Sequence, residues 1–86
     1  MIRDLENKVV WITGAGSGIG QDAAIKLSKL GMKVILSGRN FQALEDTAYK
    51  CDKDTMIKPV DISNKKSVRD LINELKNEIT HIDVLV

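Results

Sequence analysis

The chain lacks the features that would tie it to an oxidising compartment, a nucleic acid or a membrane. It has one cysteine, Cys51, so no disulfide can form within it, and a reducing compartment is expected. Basic residues do not outweigh acidic ones: 13 Lys and Arg stand against 12 Asp and Glu, for a formal net charge of +1. A nucleic-acid surface would show a clear positive excess gathered on one face. Here the lysines are scattered, and Lys65-Lys66 is the only doublet. No apolar run approaches the roughly 18 residues of a membrane span. The amino terminus, Met1-Ile2-Arg3-Asp4-Leu5-Glu6, has no apolar core of signal-peptide length. These absences point to a cytoplasmic protein with neither nucleic acid nor membrane as a partner. His81 is the only histidine, and Cys51 has no C-x-x-C companion, so no metal-ligand pattern is present. There is no internal repeat, low-complexity tract or linker.

At 86 residues the chain makes one small domain or a piece of one. A chain of this size buries only about 60–65% of the surface its unfolded form exposes, so its stability is expected to be marginal. What the sequence does carry is an alternation of short β-branched runs with helix-like stretches. Lys8 to Thr13 reads as a first strand. Gly18 to Leu30 reads as a helix, with Ile19, Ala23, Leu27 and Leu30 on one face and Gly31 as a left-handed stop. Lys33 to Ser37 is a second strand, nearly all apolar, as a strand covered on both faces should be. Asn40 is an N-cap for a second helix whose buried stripe is Phe41, Leu44, Ala48 and Cys51. Thr55 to Val60 reads as a third strand, although Lys58 and Pro59 interrupt it. Ser63 or Asn64 caps a third helix with the stripe Val68, Leu71, Ile72, Leu75 and Ile79, and Ile82 to Val86 is a fourth strand. Short connections in a βαβαβαβ order imply an α/β fold with a parallel sheet, doubly wound, in the spatial order 3-2-1-4. A ligand belongs at the switch point between strands 1 and 4, outside the carboxyl ends of the strands.

That place is occupied by Thr13-Gly14-Ala15-Gly16-Ser17-Gly18-Ile19-Gly20, with four glycines in seven residues from Gly14 to Gly20. A glycine-dense turn between a strand and a helix lets backbone approach a phosphate, and the helix N-terminus favours negative charge. The spacing excludes two common phosphate loops. G-x-G-x-x-G would need glycine at Ile19 or at Gln21, and a Walker loop would need a Lys-Ser/Thr after the glycines. The spacing that fits is T-G-x-x-x-G-x-G, through Gly14, Gly18 and Gly20. Gly14 then serves the turn off the strand, Gly18 a close approach of ligand, and Gly20 the packing of helix on sheet.

The segment Lys8 to Gly20 resembles the opening of the short-chain dehydrogenase/reductase family, the nicotinamide-dependent oxidoreductases. The likeness continues in phase through Val34-Ile35-Leu36-Ser37-Gly38-Arg39-Asn40, Val60-Asp61-Ile62-Ser63 and Ile82-Asp83-Val84-Leu85-Val86. It implies the amino-terminal half of a Rossmann-type sheet and a dinucleotide cofactor. The diphosphate would meet Gly14, Ser17, Gly18, Ile19 and Gly20, the ribose loop Arg39 and Asn40, and the adenine Asp61 and Ile62. An NAD site offers a carboxylate at the end of strand 2 to the ribose 2′-OH. This chain has Gly38 there, followed by Arg39, whose guanidinium can hold a 2′-phosphate. NADP is therefore expected over NAD. The family's hydride chemistry needs a Tyr-x-x-x-Lys pair, an upstream Ser and an Asn. Tyr49 and Lys53 match that spacing formally, but they fall at the end of the second helix, away from the carboxyl ends of the strands. Residues 1–86 are thus expected to form a partial dinucleotide-binding domain without catalytic residues or metal. In its complete form it would pass hydride between NADP(H) and a carbonyl or alcohol. Asp83 reads as structural. The alternative is a non-catalytic module that pairs along an open strand-4 edge with a complementary chain or with itself.

Overall fold

The computed structural model describes residues 6–51 and 55–86. Four parallel strands, β1 (Val9–Ile12), β2 (Lys33–Leu36), β3 (Thr55–Ile57) and β4 (Val84–Leu85), lie in the order β3-β2-β1-β4. This is the expected doubly wound order. The register places Val10 beside Val34, Trp11 beside Ile35 and Ile12 beside Leu36. Strand residues point alternately to opposite faces. Val10, Ile12, Val34 and Leu36 form one core with Ala24 of α1 (Gly18–Lys29) and Leu44 of α2 (Phe41–Lys50). Val9 and Ile35 form the other core with Val60 and with Leu71 and Leu75 of α3 (Lys65–Glu78). Both faces of β1 and β2 are therefore apolar, which is why their sequences read as continuous hydrophobic runs.

The helices begin in two ways. Asn40 Oδ1 accepts from the Ala43 N–H and Asn64 Oδ1 from the Ser67 N–H, each at 3.1 Å, so α2 and α3 are side-chain capped. Asn64, rather than Ser63, is the cap of α3. In α1 the N-cap residue is Ser17, and its side chain makes no capping bond. Gly31 ends α1 as expected, with a φ of +94°.

Several residues sit differently from the sequence expectation. Phe41 is half exposed because it opens α2 at the edge of the sheet, and the buried positions of that helix are Leu44 and Thr47. Ile72 is exposed on α3, where only Leu71 and Leu75 are fully buried. Ile19 is 87% exposed, since the first turn of α1 projects past the sheet; Ala24 and Ser28 are the buried positions. β3 stops at Ile57, three residues short of the expected Val60. The pairing nonetheless continues around Pro59, with the Lys58 N–H on Leu36 O at 2.8 Å and the Val60 N–H on Gly38 O at 2.9 Å. The Lys58 ammonium reaches across to Glu74 and Glu78, one turn apart on α3. The hydrogen bonds it donates to those two carboxylates hold it above its ordinary pKa.

Asp83 clips β4 to β1. Its N–H donates to Val9 O at 2.8 Å, and its Oδ2 accepts the Val9 N–H at 2.7 Å. That second bond is the main reason its carboxyl titrates below the usual carboxylate value, with His81 and Lys8 adding to it. Among the described residues no helix is long and apolar enough to cross a membrane.

Candidate functional site

The carboxyl ends of β1, β2 and β3 open onto one cleft of about 550 Å³. Three connections wall it. The β1–α1 turn contributes Gly14, Gly16 and Ser17. The β2–α2 link contributes Gly38, Arg39 and Asn40. The segment after β3 contributes Asp61, Ile62 and Ser63. Six of the nine residues expected from the sequence thus share one cavity. The other three, Gly18, Ile19 and Gly20, lie on the adjoining first turn of α1 and do not line it.

The turn is shaped by backbone that only glycine adopts readily. Gly14 and Gly18 have φ of +64° and +57°, and space is open around the Cβ position of each. At Gly20 the reason is crowding instead. A Cβ there would overlap the Gly14 carbonyl oxygen, so the missing side chain lets α1 sit directly on the turn. The first-turn N–H groups of α1 have no intrahelical acceptor, and Ser17 leaves them uncapped. Free donors of this kind, with the positive end of a helix, favour negative charge.

Gly38 brings no carboxylate to the end of β2, and Arg39 follows it as an exposed side chain. Among the described residues Arg39 makes no ion pair. Asn40 gives its Oδ1 to the α2 cap. Asp61 faces the same cavity. Its Oδ1 accepts from Ser63 Oγ at 2.6 Å and from the Ser63 N–H at 3.0 Å. Those two bonds, with a smaller contribution from Arg39, pull its carboxyl below the ordinary value. Asp61 is therefore a fixed, ionised acceptor that lines the same cleft as a guanidinium.

Tyr49 stands 92% exposed on the last turn of α2, remote from the cleft, and Lys53 lies outside the described residues. Among the described residues no three His, Cys, Asp or Glu side chains gather as a metal site. Reasoning from sequence missed Thr47, a fully buried hydroxyl whose Oγ1 donates to Ala15 O at 2.8 Å inside the glycine turn. A signal was available: Thr47 falls three residues after Leu44, within the buried spacing of α2. It also missed the closeness of the turn to α2 at Gly16, where a Cβ would overlap the Ala43 side chain.

A parallel sheet with helices on both faces and a glycine turn at its switch point defines the doubly wound α/β class. Residues 8–86 match the family model described as short chain dehydrogenase, and the chain belongs to that family. It is similar to dehydrogenase/reductase SDR family member 7 of Mus musculus, at 38% identity over 90 residues, covering 96% of this chain and 27% of that protein. Among solved structures it is similar to the Pseudomonas aeruginosa RhlG/NADP active-site complex. That match has 30% identity and a TM-score of 0.85, over 94% of this chain and 34% of that one. It is equally similar to 3-ketoacyl-(acyl-carrier-protein) reductase from Brucella melitensis complexed with NADH. There the identity is 32% and the TM-score 0.85, over 94% of this chain and 33% of that one. The chain therefore spans about a quarter to a third of the length of the proteins it matches.

Proposed function

We propose that the cleft is the adenosine and diphosphate side of an NADP site, and that residues 1–86 are the partial cofactor-binding domain of an oxidoreductase. The observation that carries this reading is the pairing, in one cavity, of an uncapped glycine turn with a β2 end that has Arg39 and no carboxylate. Gly14, Ser17, Gly18, Ile19 and Gly20 would hold the diphosphate through backbone donors in open space. Arg39 and Asn40 would hold the 2′-phosphate. Asp61 would accept from the adenine amino group, with Ile62 against the ring. When bound, the nicotinamide supplies the hydride, exchanged in the complete protein with a carbonyl or alcohol. The chain's own part is binding and orientation.

Calorimetric titration of the folded chain with NADPH and NADH tests the reading. NADPH should bind at least about tenfold more tightly, the worth of one charge-assisted hydrogen-bond pair. Arg39→Ala should remove that preference and leave NADH affinity within about twofold. Equal affinities in the wild type would end the NADP assignment, and no heat with either would end the dinucleotide assignment.

A second reading is favoured by β4, where Leu85 is 67% exposed and Val84 and Val86 are half exposed. A parallel strand is ordinarily covered. On that reading the chain is a module that closes its sheet against a complementary chain or a second copy. Sedimentation across a concentration series tests self-pairing, and a single monomeric species would remove it.

A further inference from the structure

Thr47 is a buried polar side chain that joins the glycine turn to α1 and α2. It lies on α2, two turns beyond the Asn40 cap, and has no exposed surface. Its Oγ1 lies 2.8 Å from Ala15 O in the glycine turn and 3.1 Å from Ala43 O in its own helix. Gln21 Nε2, from α1, donates to the same oxygen at 3.0 Å. A threonine hydroxyl has one proton to give. In a helix it is ordinarily given to the carbonyl four residues back. Here the shorter contact is to the turn, and the Gln21 amide occupies a lone pair of the oxygen.

The consequence follows from peptide geometry. The chain has no cis peptide among the described residues, and a trans peptide is planar, with its C=O and N–H pointing opposite ways. Holding the Ala15 carbonyl toward Thr47 therefore turns the Gly16 N–H away from Thr47. Gly16 lines the cleft. The Ala15 N–H is also tied down, on Ser37 O at 3.0 Å. The preceding peptide, Gly14–Ala15, is thus anchored to Ser37 just past β2, and the Ala15–Gly16 peptide to α2.

We infer that Thr47 is a positioning residue for the glycine turn: its hydroxyl fixes the Ala15–Gly16 peptide so that the Gly16 N–H is presented as a donor to the diphosphate of a bound dinucleotide. Gln21 supports it by holding the hydroxyl in place. The inference rests on the dinucleotide reading above, and it adds α2 as the strut that registers the diphosphate turn against the Arg39 side of the cleft.

The test compares two ligands, NADPH and adenosine 2′-monophosphate, the second of which has no diphosphate. Thr47→Val keeps the shape and removes the hydroxyl. It should weaken NADPH about tenfold, the cost of one misplaced donor to a charged group, and leave adenosine 2′-monophosphate unchanged. Thr47→Ser should restore NADPH affinity. An unchanged NADPH affinity in Thr47→Val overturns the inference. An equal loss for both ligands also overturns it, because the hydroxyl would then serve general packing. Should Thr47→Val lose its helical circular dichroism, Gln21→Leu carries the test. A selective NADPH loss of about threefold is then expected, and an unaltered affinity is the overturning result. Failure of the wild type to bind either ligand overturns the dinucleotide reading itself and is distinguishable from all of these.

Discussion

The two faces of the sheet are built from alternate residues of the same strands, yet they are covered unequally. On one face α1 and α2 lie side by side, and Val10, Ile12, Val34, Leu36 and Leu44 are each at most 1% exposed. On the other face α3 lies alone. Trp11 is only half-buried there, and Ile72 and Ile82 reach solvent around a groove of about 220 Å³ beside Trp11. Identical strand chemistry thus gives a dry, tightly determined face and a looser one, decided by how many helices cover each. The candidate site follows the tighter face: its glycine turn is gripped by α1 through Gly20 and by α2 through Thr47 and Gly16. Donors meant to meet a ligand at fixed distances belong on the face that cannot relax.

The largest expected effect comes where α1 meets the turn. Gly20→Val places a branched side chain against the Gly14 carbonyl, a backbone contact that no rotamer avoids. A loss of more than about 4 kcal/mol in urea unfolding is expected, from overpacking against main chain. A near-neutral variant would show that the tight face yields after all. Next come matched truncations. Leu36→Ala on the two-helix face should cost about 4 kcal/mol, and Leu75→Ala under α3 about 2.5 kcal/mol, because the looser side can collapse into part of the void. Equal costs would erase the distinction between the faces.

The smallest effect is a pH dependence at β4. Asp83 titrates below its ordinary value of 3.8, chiefly because its carboxylate accepts the Val9 N–H. A lowered folded-state pKa contributes stability that is complete above the unfolded value and is lost as pH falls through the folded one. Acid unfolding should therefore have a component below about pH 4 that Asp83→Asn flattens. An acid limb unaltered in slope would show that the clip between β1 and β4 contributes nothing.

Much of this was readable from residue order. The cap at Asn40, the stop at Gly31 and the turn at Gly14 follow from local chemistry that a short window contains; the strand order followed from the alternation of elements along the whole chain, and the cap of α3 was narrowed only to Ser63 or Asn64. Phe41 and Ile19 were misplaced for one shared reason: periodicity says which residues fall on a common stripe, but not whether the stripe's ends are covered. Ile72 stands in the middle of α3, beside buried Leu71, and is exposed all the same. Thr47 escaped for the complementary reason. A hydroxyl in an apolar stripe is explained only by its acceptor, and Ala15 lies 32 residues away. Arg39 was singled out because the end of a strand is a position that sequence can count to, and Asp61 by family resemblance. That both line one cavity emerged only from the fold.

Pro59 has one more consequence. It sits exposed just past β3, between two residues whose amides turn inward to β2. Its own nitrogen falls at the outward position, and it has no hydrogen to offer there. A passing extended chain that tried to stack along this margin would lose a donor where the segment runs on from β3 toward the cleft. A single ring thereby makes the outer margin a poorer template at its carboxyl end.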